Sequence, residues 1–250
     1  MKKLAGKKDG FTRDEKTDFT SLYTAHRAEM KANGCDVDAM IEMRRAIHQN
    51  AEGGFQEIDT VKRLSEVLAS FGISASAMKK SAGTGLVVDI MGTGPADNKV
   101  TGPKVIALRT DLDALPMPEN NPNLEYRTRT KFAHMCGHDG HMACLMSATS
   151  VIAKNRSKIP SNQGVRLLLQ PAEEGPGGAL FMVKENCMEG VDEVYGFHNI
   201  PNFDEGDIRV CAGGFFAAVT TVKIKVIGQG GHGSTPYKLV DCIAGANAIY

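Results

Sequence analysis

What the chain lacks narrows what it can be. It has no net charge, because 29 basic side chains stand against 29 acidic ones. A nucleic-acid binder held by bulk electrostatics needs a clear basic excess, so no nucleic-acid partner is expected. No apolar run approaches the roughly 18–20 residues that cross a bilayer, so no membrane partner is expected either. The opening stretch MKKLAGKKDGFTRDEKTDFT has basic residues with no apolar segment behind them, unlike a secretory signal. Asp9, Asp14, Glu15 and Asp18 in the same stretch do not suit an acid-poor transit peptide. Together these absences predict a soluble, cytoplasmic protein. Tryptophan is missing altogether, and the six cysteines (35, 136, 144, 187, 211 and 242) form no CxxC pair. In a reducing compartment each is expected as a small buried apolar residue or a metal ligand, not half of a disulfide.

What is present suits an α/β core. Apolar residues make up 42% of the 250, enough for a core in one large domain or two small ones. The 27 glycines fit a chain with many tight strand-to-helix turns. Residues 1–34 are charge-mixed with weak periodicity and read as an N-terminal extension, poorly packed or loosely helical. VDAMIEMRRAIH (37–48) places Met40, Met43 and Ile47 on one helical face. A second helix is expected over 58–71, stopped by Gly72. Then the period changes. LVVDIMG (86–92), KVIALRTD (104–111) and VRLLLQ (165–170) read as short strands. Their nearly continuous apolar character predicts a sheet covered on both faces. Helices are expected over 137–153 and 177–186, with further strands at VYGFHN (194–199) and GDIRV (206–210). The alternation predicts a three-layer α/β domain over 35–213. After Gly213–Gly214, TTVKIKVIG (220–228) alternates strictly and reads as a strand with one wet face, followed by a helix from about Val240.

Three segments gather side chains that bind metals. In HMCGHDGHMA (134–143), Cys136 and His138 flank Gly137 in a turn that opens a helix, and a thiolate and an imidazole both suit a divalent transition metal. A capped helix with a core cysteine and surface histidines is the other reading. In LLLQPAEEGPGGA (168–180), a buried strand delivers Glu173 and Glu174 to its carboxyl end, where α/β proteins place their sites. Adjacent residues there point in different directions, so one can carry protons and the other can bind metal. A solvated acidic loop is the alternative. His198 closes the third segment, where a satisfied core histidine is the simpler account of it alone. Asp111 and Asp113, after another strand, suit either ligands or partners that orient a ligating imidazole, or simply a turn start. His141, one turn beyond His138, suits a supporting role or the helix surface equally. His48 has no derivable role.

RRAIHQNAEGGFQE, ALRTDLDALPMPE, HMCGHDGHMA, QPAEEGPGGA, FHNIP and GQGGHGSTP, in that order from about Ile41 onward, resemble the amidohydrolase branch of the dinuclear aminoacylase and carboxypeptidase-G-like metallopeptidases. That branch includes auxin-conjugate hydrolases, hippurate hydrolases and N-acyl-amino-acid amidohydrolases. The resemblance implies two divalent ions, manganese, zinc or cobalt, and a small N-acyl amino acid as substrate. It implies that Cys136 bridges the ions, that His138, His198 and Glu174 are further ligands, and that Glu173 is the general base. It makes Asp113 a supporting aspartate. It makes His232 a lid histidine that steadies the oxyanion in a partner subunit's site. It further implies a ferredoxin-like lid beginning at 214–250 that forms a homodimer when complete. Two departures stand out: Ala51 replaces the family's usual proline, and the family continues well beyond Tyr250 with a further histidine ligand. Two rival readings therefore stand beside the amidohydrolase. One is a truncated metal-binding fragment without catalysis, and the other is a dipeptidase or carboxypeptidase of the same superfamily.

Overall fold

A computed structural model describes residues 19–102, 104–203 and 207–250 of the chain, with side chains from residue 24 onward. Of the segment expected as an N-terminal extension, residues 1–18 lie outside the described residues. Phe19–Ala32 forms helix α1. Helix α2 (Val37–Gln49) starts where Asp36 accepts the backbone N–H of Ala39 at 3.2 Å, and it buries Met40, Met43 and Ile47 as their spacing predicts. Helix α3 (Ile58–Ser70) stops at Gly72, whose φ is +79°. The N–H of Gly72 bonds Ala69 O at 2.9 Å and that of Ile73 bonds Leu68 O at 3.2 Å, and the Ile73 side chain then enters the core.

A five-stranded sheet follows, in the order β1-β2-β4-β3-β5. Its strands are β1 (Met78–Ser81), β2 (Gly85–Met91), β3 (Lys104–Asp111), β4 (Gln163–Gln170) and β5 (Glu193–Gly196). β1, β2 and β4 pair antiparallel, whereas β3 lies parallel to both β4 and β5. Helix α4 (His138–Lys154) connects β3 to β4, and helix α5 (Gly178–Lys184) connects β4 to β5. The first connection moves one way along the sheet and the second moves back across β3. Crossovers of one hand that move in opposite directions lay their helices on opposite faces.

Side-chain alternation agrees. Leu86, Val88 and Ile90 of β2 and Leu167 and Leu169 of β4 point into the larger core cluster, with Leu64, Leu68, Met142 and Met146 from α3 and α4. Val87, Ala107 and Leu168 point the other way, toward Met182 of α5 and Cys187. The fold is the expected α/β class, a mixed sheet between helical layers.

Two strand expectations are corrected. The strand runs only over Glu193–Gly196, so of VYGFHN (194–199) just the first three residues pair and His198 lies in the loop beyond. In TTVKIKVIG and in Asp207–Val210 no strand forms, and Gly206 lies outside the described residues. Alternation supplies a face but not a hydrogen-bonded neighbour, and among the described residues neither stretch has a ladder partner. The chain divides into two compact units, the first ending at Ile200 and the second beginning at Pro201. That unit contains helix α6 (Cys242–Ile249), capped by Asp241, and an isolated antiparallel bridge between Gln229 and Val240.

The side chain of Leu167 is fully enclosed at 0% exposure. Leu167→Ala should therefore destabilise the chain by about 2–5 kcal/mol, read as a lowered urea midpoint with an unchanged slope.

Candidate metal centre

β3, β4 and β5 run parallel, so their carboxyl ends share one edge of the sheet. The connections after β3 and β4 leave to opposite faces, and the crevice between two such strand ends is where open α/β sheets bind ligands. Asp111 and Asp113 follow β3 there, and Glu173 and Glu174 follow β4. Cys136 and His138 arrive from the start of α4, and His198 from the loop after β5. Gly137 between them has φ +89°, and a Cβ there would lie 2.5 Å from Asn199 Oδ1. Both the turn and the close approach of the Asn199 loop thus require glycine.

His138 is the shared member of three ligand groups, each with its donor atoms within 4.8 Å of one another. These are Cys136–His138–His198, Asp111–His138–His141 and His138–Glu173–Glu174. Cys136 Sγ lies 3.5 Å from His198 Nε2. His138 Nδ1 meets the backbone carbonyl of Asp113 at 2.8 Å, where it can only donate. That fixes the tautomer and turns the Nε2 lone pair inward. Among the described residues, Nε2 is buried with no hydrogen-bond partner. Around it stand Asp111 Oδ2 at 3.5 Å, Glu174 Oε1 at 3.7 Å and Glu173 Oε2 at 3.8 Å. A lone pair facing carboxylate oxygens, with a thiol beside it, is a cavity short of positive charge, and a divalent cation fits this donor set.

The electrostatics agree. Burial, with Glu174, Glu173 and Asp111 nearby, pushes the Cys136 thiol up to about 12. A bound cation would reverse that balance and favour the thiolate. Burial opposes charging of His138, but Asp113 and Asp111 outweigh it and raise its pKa. Burial likewise works against the Asp113 carboxylate, which is nonetheless held below its usual range by His138 and by two backbone N–H groups. Those N–H groups belong to Glu173 and Glu174, donating to Asp113 Oδ1 and Oδ2 at 2.9 and 3.0 Å.

Two histidines whose roles the sequence left open are buried and partnered. His141 is 2% exposed, off the helix surface, with Nδ1 2.7 Å from Asp111 Oδ1 and Nε2 3.1 Å from the backbone N of Asn199. It thereby ties the β3 end to the His198 loop. Arg109 donates to the other oxygen of Asp111 at 2.7 Å. His48, which had no role in the sequence, meets Asp139 at 3.0 Å beside Arg44, itself 2.9 Å from the same carboxylate oxygen. The signal for both was helical spacing, since His141 lies one turn beyond His138 on α4 and His48 shares the core face of α2. His232 lies in the second unit, exposed, with Nδ1 accepting the Ser234 N–H at 3.2 Å, which leaves the ring proton on Nε2.

Fold and cluster together define a class of chain: an α/β sheet whose parallel strand ends gather thiol, imidazole and carboxylate at one crevice. Residues 107–246 match the model of peptidase family M20/M25/M40, and the chain belongs to that family. It is 37% identical over 223 residues to thermostable carboxypeptidase 2 of Saccharolobus solfataricus, covering 85% of this chain and 53% of the relative. It is 36% identical over 213 residues to an N-acyl-L-amino acid amidohydrolase of Geobacillus stearothermophilus, covering 84% and 54%. The crystal structure of a Bacillus subtilis protein, described as a dinuclear metal-binding peptidase of the M20 family, superposes with a TM-score of 0.59 at 32% identity. That superposition covers 69% of this chain and 45% of the other. The chain thus spans about half the length of the curated relatives it matches. No helix among the described residues is long and apolar enough to cross a membrane.

Two outcomes are expected. Cys136→Ala should cut the divalent-ion content of manganese-loaded protein after desalting, as measured by elemental analysis, while the circular dichroism spectrum stays unchanged. His134 is buried, neither ring nitrogen has a hydrogen-bond partner among the described residues, and burial lowers its pKa from 6.5 to about 4. Between those values the unfolded chain binds the extra proton, so stability is present above 6.5 and lost as pH falls toward 4. The slope from this one group approaches about 1.4 kcal/mol per pH unit. In His134→Leu that acid-side component of the metal-free stability profile should vanish, as urea titrations across this range would show.

Proposed function

We propose that this chain carries the metal-binding part of an amidohydrolase that cleaves the amide bond of N-acyl amino acids. The observation that carries the reading is the unpartnered His138 Nε2 among the Asp111, Glu173 and Glu174 oxygens, beside the Cys136–His198 contact. Cys136, His138, Glu174 and His198 would hold two divalent ions, of manganese, zinc or cobalt. When bound, such ions supply Lewis acidity to a water and to the substrate carbonyl.

The chain's own groups do the rest. Glu173, with its side chain 40% exposed, is the more open of the two acids and is placed to meet substrate and solvent. It takes a proton from the attacking water and passes it to the departing nitrogen. Glu174, at 23% exposure, faces inward beside His138 as a ligand. Asp113 fixes both acids through their backbone N–H groups and fixes His138 through its own carbonyl. His232, protonated on Nε2, donates to the developing oxyanion in the site of a second copy, dimerised through the lid. A donor of this kind contributes about 2.7–4 kcal/mol to the transition state. The amidohydrolase name of the Geobacillus relative supports the substrate class. The carboxypeptidase name of the Saccharolobus relative favours a second reading, a peptidase acting on a C-terminal residue.

Turnover of acetyl- and benzoyl-amino acids beside dipeptides, with added manganese, separates the two. Preference for acyl-amino acids supports the amidohydrolase, and preference for dipeptides supports the peptidase. Ion uptake without turnover of either supports a non-catalytic metal-binding fragment. Glu173→Gln should keep its ions and lose at least about 100-fold in turnover. Wild-type activity in that variant would remove Glu173 from the mechanism.

A further inference from the structure

Glu57 is a carboxylic acid at 0% exposure with no cation beside it among its described contacts. Acidic side chains are almost never fully buried unless their oxygens are paired. One oxygen, Oε2, accepts the Thr84 hydroxyl. The other, Oε1, accepts the backbone N–H of Ala172 at 2.8 Å. Ala172 is itself fully buried and has φ +50°, a left-handed conformation that L residues rarely adopt. It is the residue immediately before Glu173 and Glu174. Its carbonyl accepts the N–H groups of Gly177 and Gly178 at 3.0 and 3.1 Å, closing the loop on itself.

Three consecutive N–H groups, those of Ala172, Glu173 and Glu174, thus end on buried carboxylates, the first on Glu57 and the next two on Asp113. Gly54 packs the same loop from the Glu57 side. A Cβ there would lie 2.6 Å from Gly175 O and 2.9 Å from Ala172 Cβ. The segment GGFQE (53–57), far in sequence from any candidate ligand, is therefore the cradle of the Ala172–Gly178 loop.

We infer that Glu57 is a positioning residue for the metal centre: by holding Ala172 in its left-handed conformation it sets the direction in which Glu173 and Glu174 leave the β4 end. This rests on the metal-site reading above. Removing the Glu57 carboxylate leaves the Ala172 N–H buried without an acceptor, and the loop relieves that loss by turning, which moves both acids. Glutamine keeps a carbonyl oxygen for Ala172, and the Thr84 hydroxyl can accept from the new amide.

The test uses the full 250-residue chain. Metal-free protein is titrated with manganese in a calorimeter and, separately, loaded with cobalt and examined by visible absorption. Glu57→Ala should weaken manganese binding by about 10–100-fold, the range for groups that orient metal ligands, and alter the cobalt spectrum. Glu57→Gln should restore both. A folded Glu57→Ala chain with wild-type affinity and spectrum, only melting earlier, would overturn the inference by showing a purely structural role. If Glu57→Ala fails to fold, Thr84→Val serves in its place. By freeing Oε2 it should weaken manganese binding in the same direction, and unchanged affinity would overturn the inference. A wild-type chain that takes up neither ion overturns the metal-site reading and this inference together. Equal uptake by wild type and variants overturns this inference alone.

Discussion

The centre depends on one residue's two chemistries. The Asp113 backbone carbonyl takes the Nδ1 proton of His138, while its carboxylate takes the N–H groups of Glu173 and Glu174. A single position at the end of β3 thereby orients an imidazole from α4 and two acids from β4. None of these contacts would form without the parallel register that brings Asp111 level with Gln170. Shift that pairing by one residue and every side chain of β4 would face the other side of the sheet. The buried strands are thus more than a hydrophobic support: their register is the ruler by which the candidate ligands are spaced.

Around this core the polar groups form a continuous scaffold. Arg109 and His141 hold Asp111, His141 reaches Asn199, and Asn199 follows His198. Glu57 and Gly54 hold the loop that carries the acids. Such partners are costly to bury singly and stable only when mutually satisfied. That is why so many ionisable side chains lie at the carboxyl edge of an otherwise apolar sheet.

Much of this was legible in the sequence, for identifiable reasons. Helices α2, α3 and α4 fall within a residue or two of the periodicity that predicted them, because a one-sided apolar stripe needs only a surface to bury against. β2, β3 and β4 were legible as apolar runs between glycines and turns. The brief strand β1 was not, since MKKS carries no apolar alternation and exists through its pairing with β2. The alternating stretch 220–228 shows the converse, a strand pattern without a strand, because pairing is a property of two segments. Within the centre, Cys136, His138, Glu174 and His198 were legible as ligand types placed near strand ends, and the structure brings each of them beside His138 or Cys136. Asp113 was named for its place after β3, but its double grip on the acid pair was not foreseeable. Glu57 was hidden altogether, since nothing in GGFQE separates a buried acid from a solvated one.

The high thiol pKa at Cys136 has a consequence for handling and for chemistry alike. With its proton retained near neutrality, this sulfur is a weaker nucleophile than an ordinary free thiol as long as no cation stands beside it. A cation that takes this sulfur as thiolate would have to expel that proton into the medium, so loading would acidify an unbuffered solution and the apparent grip on the cation would tighten as the medium turns alkaline.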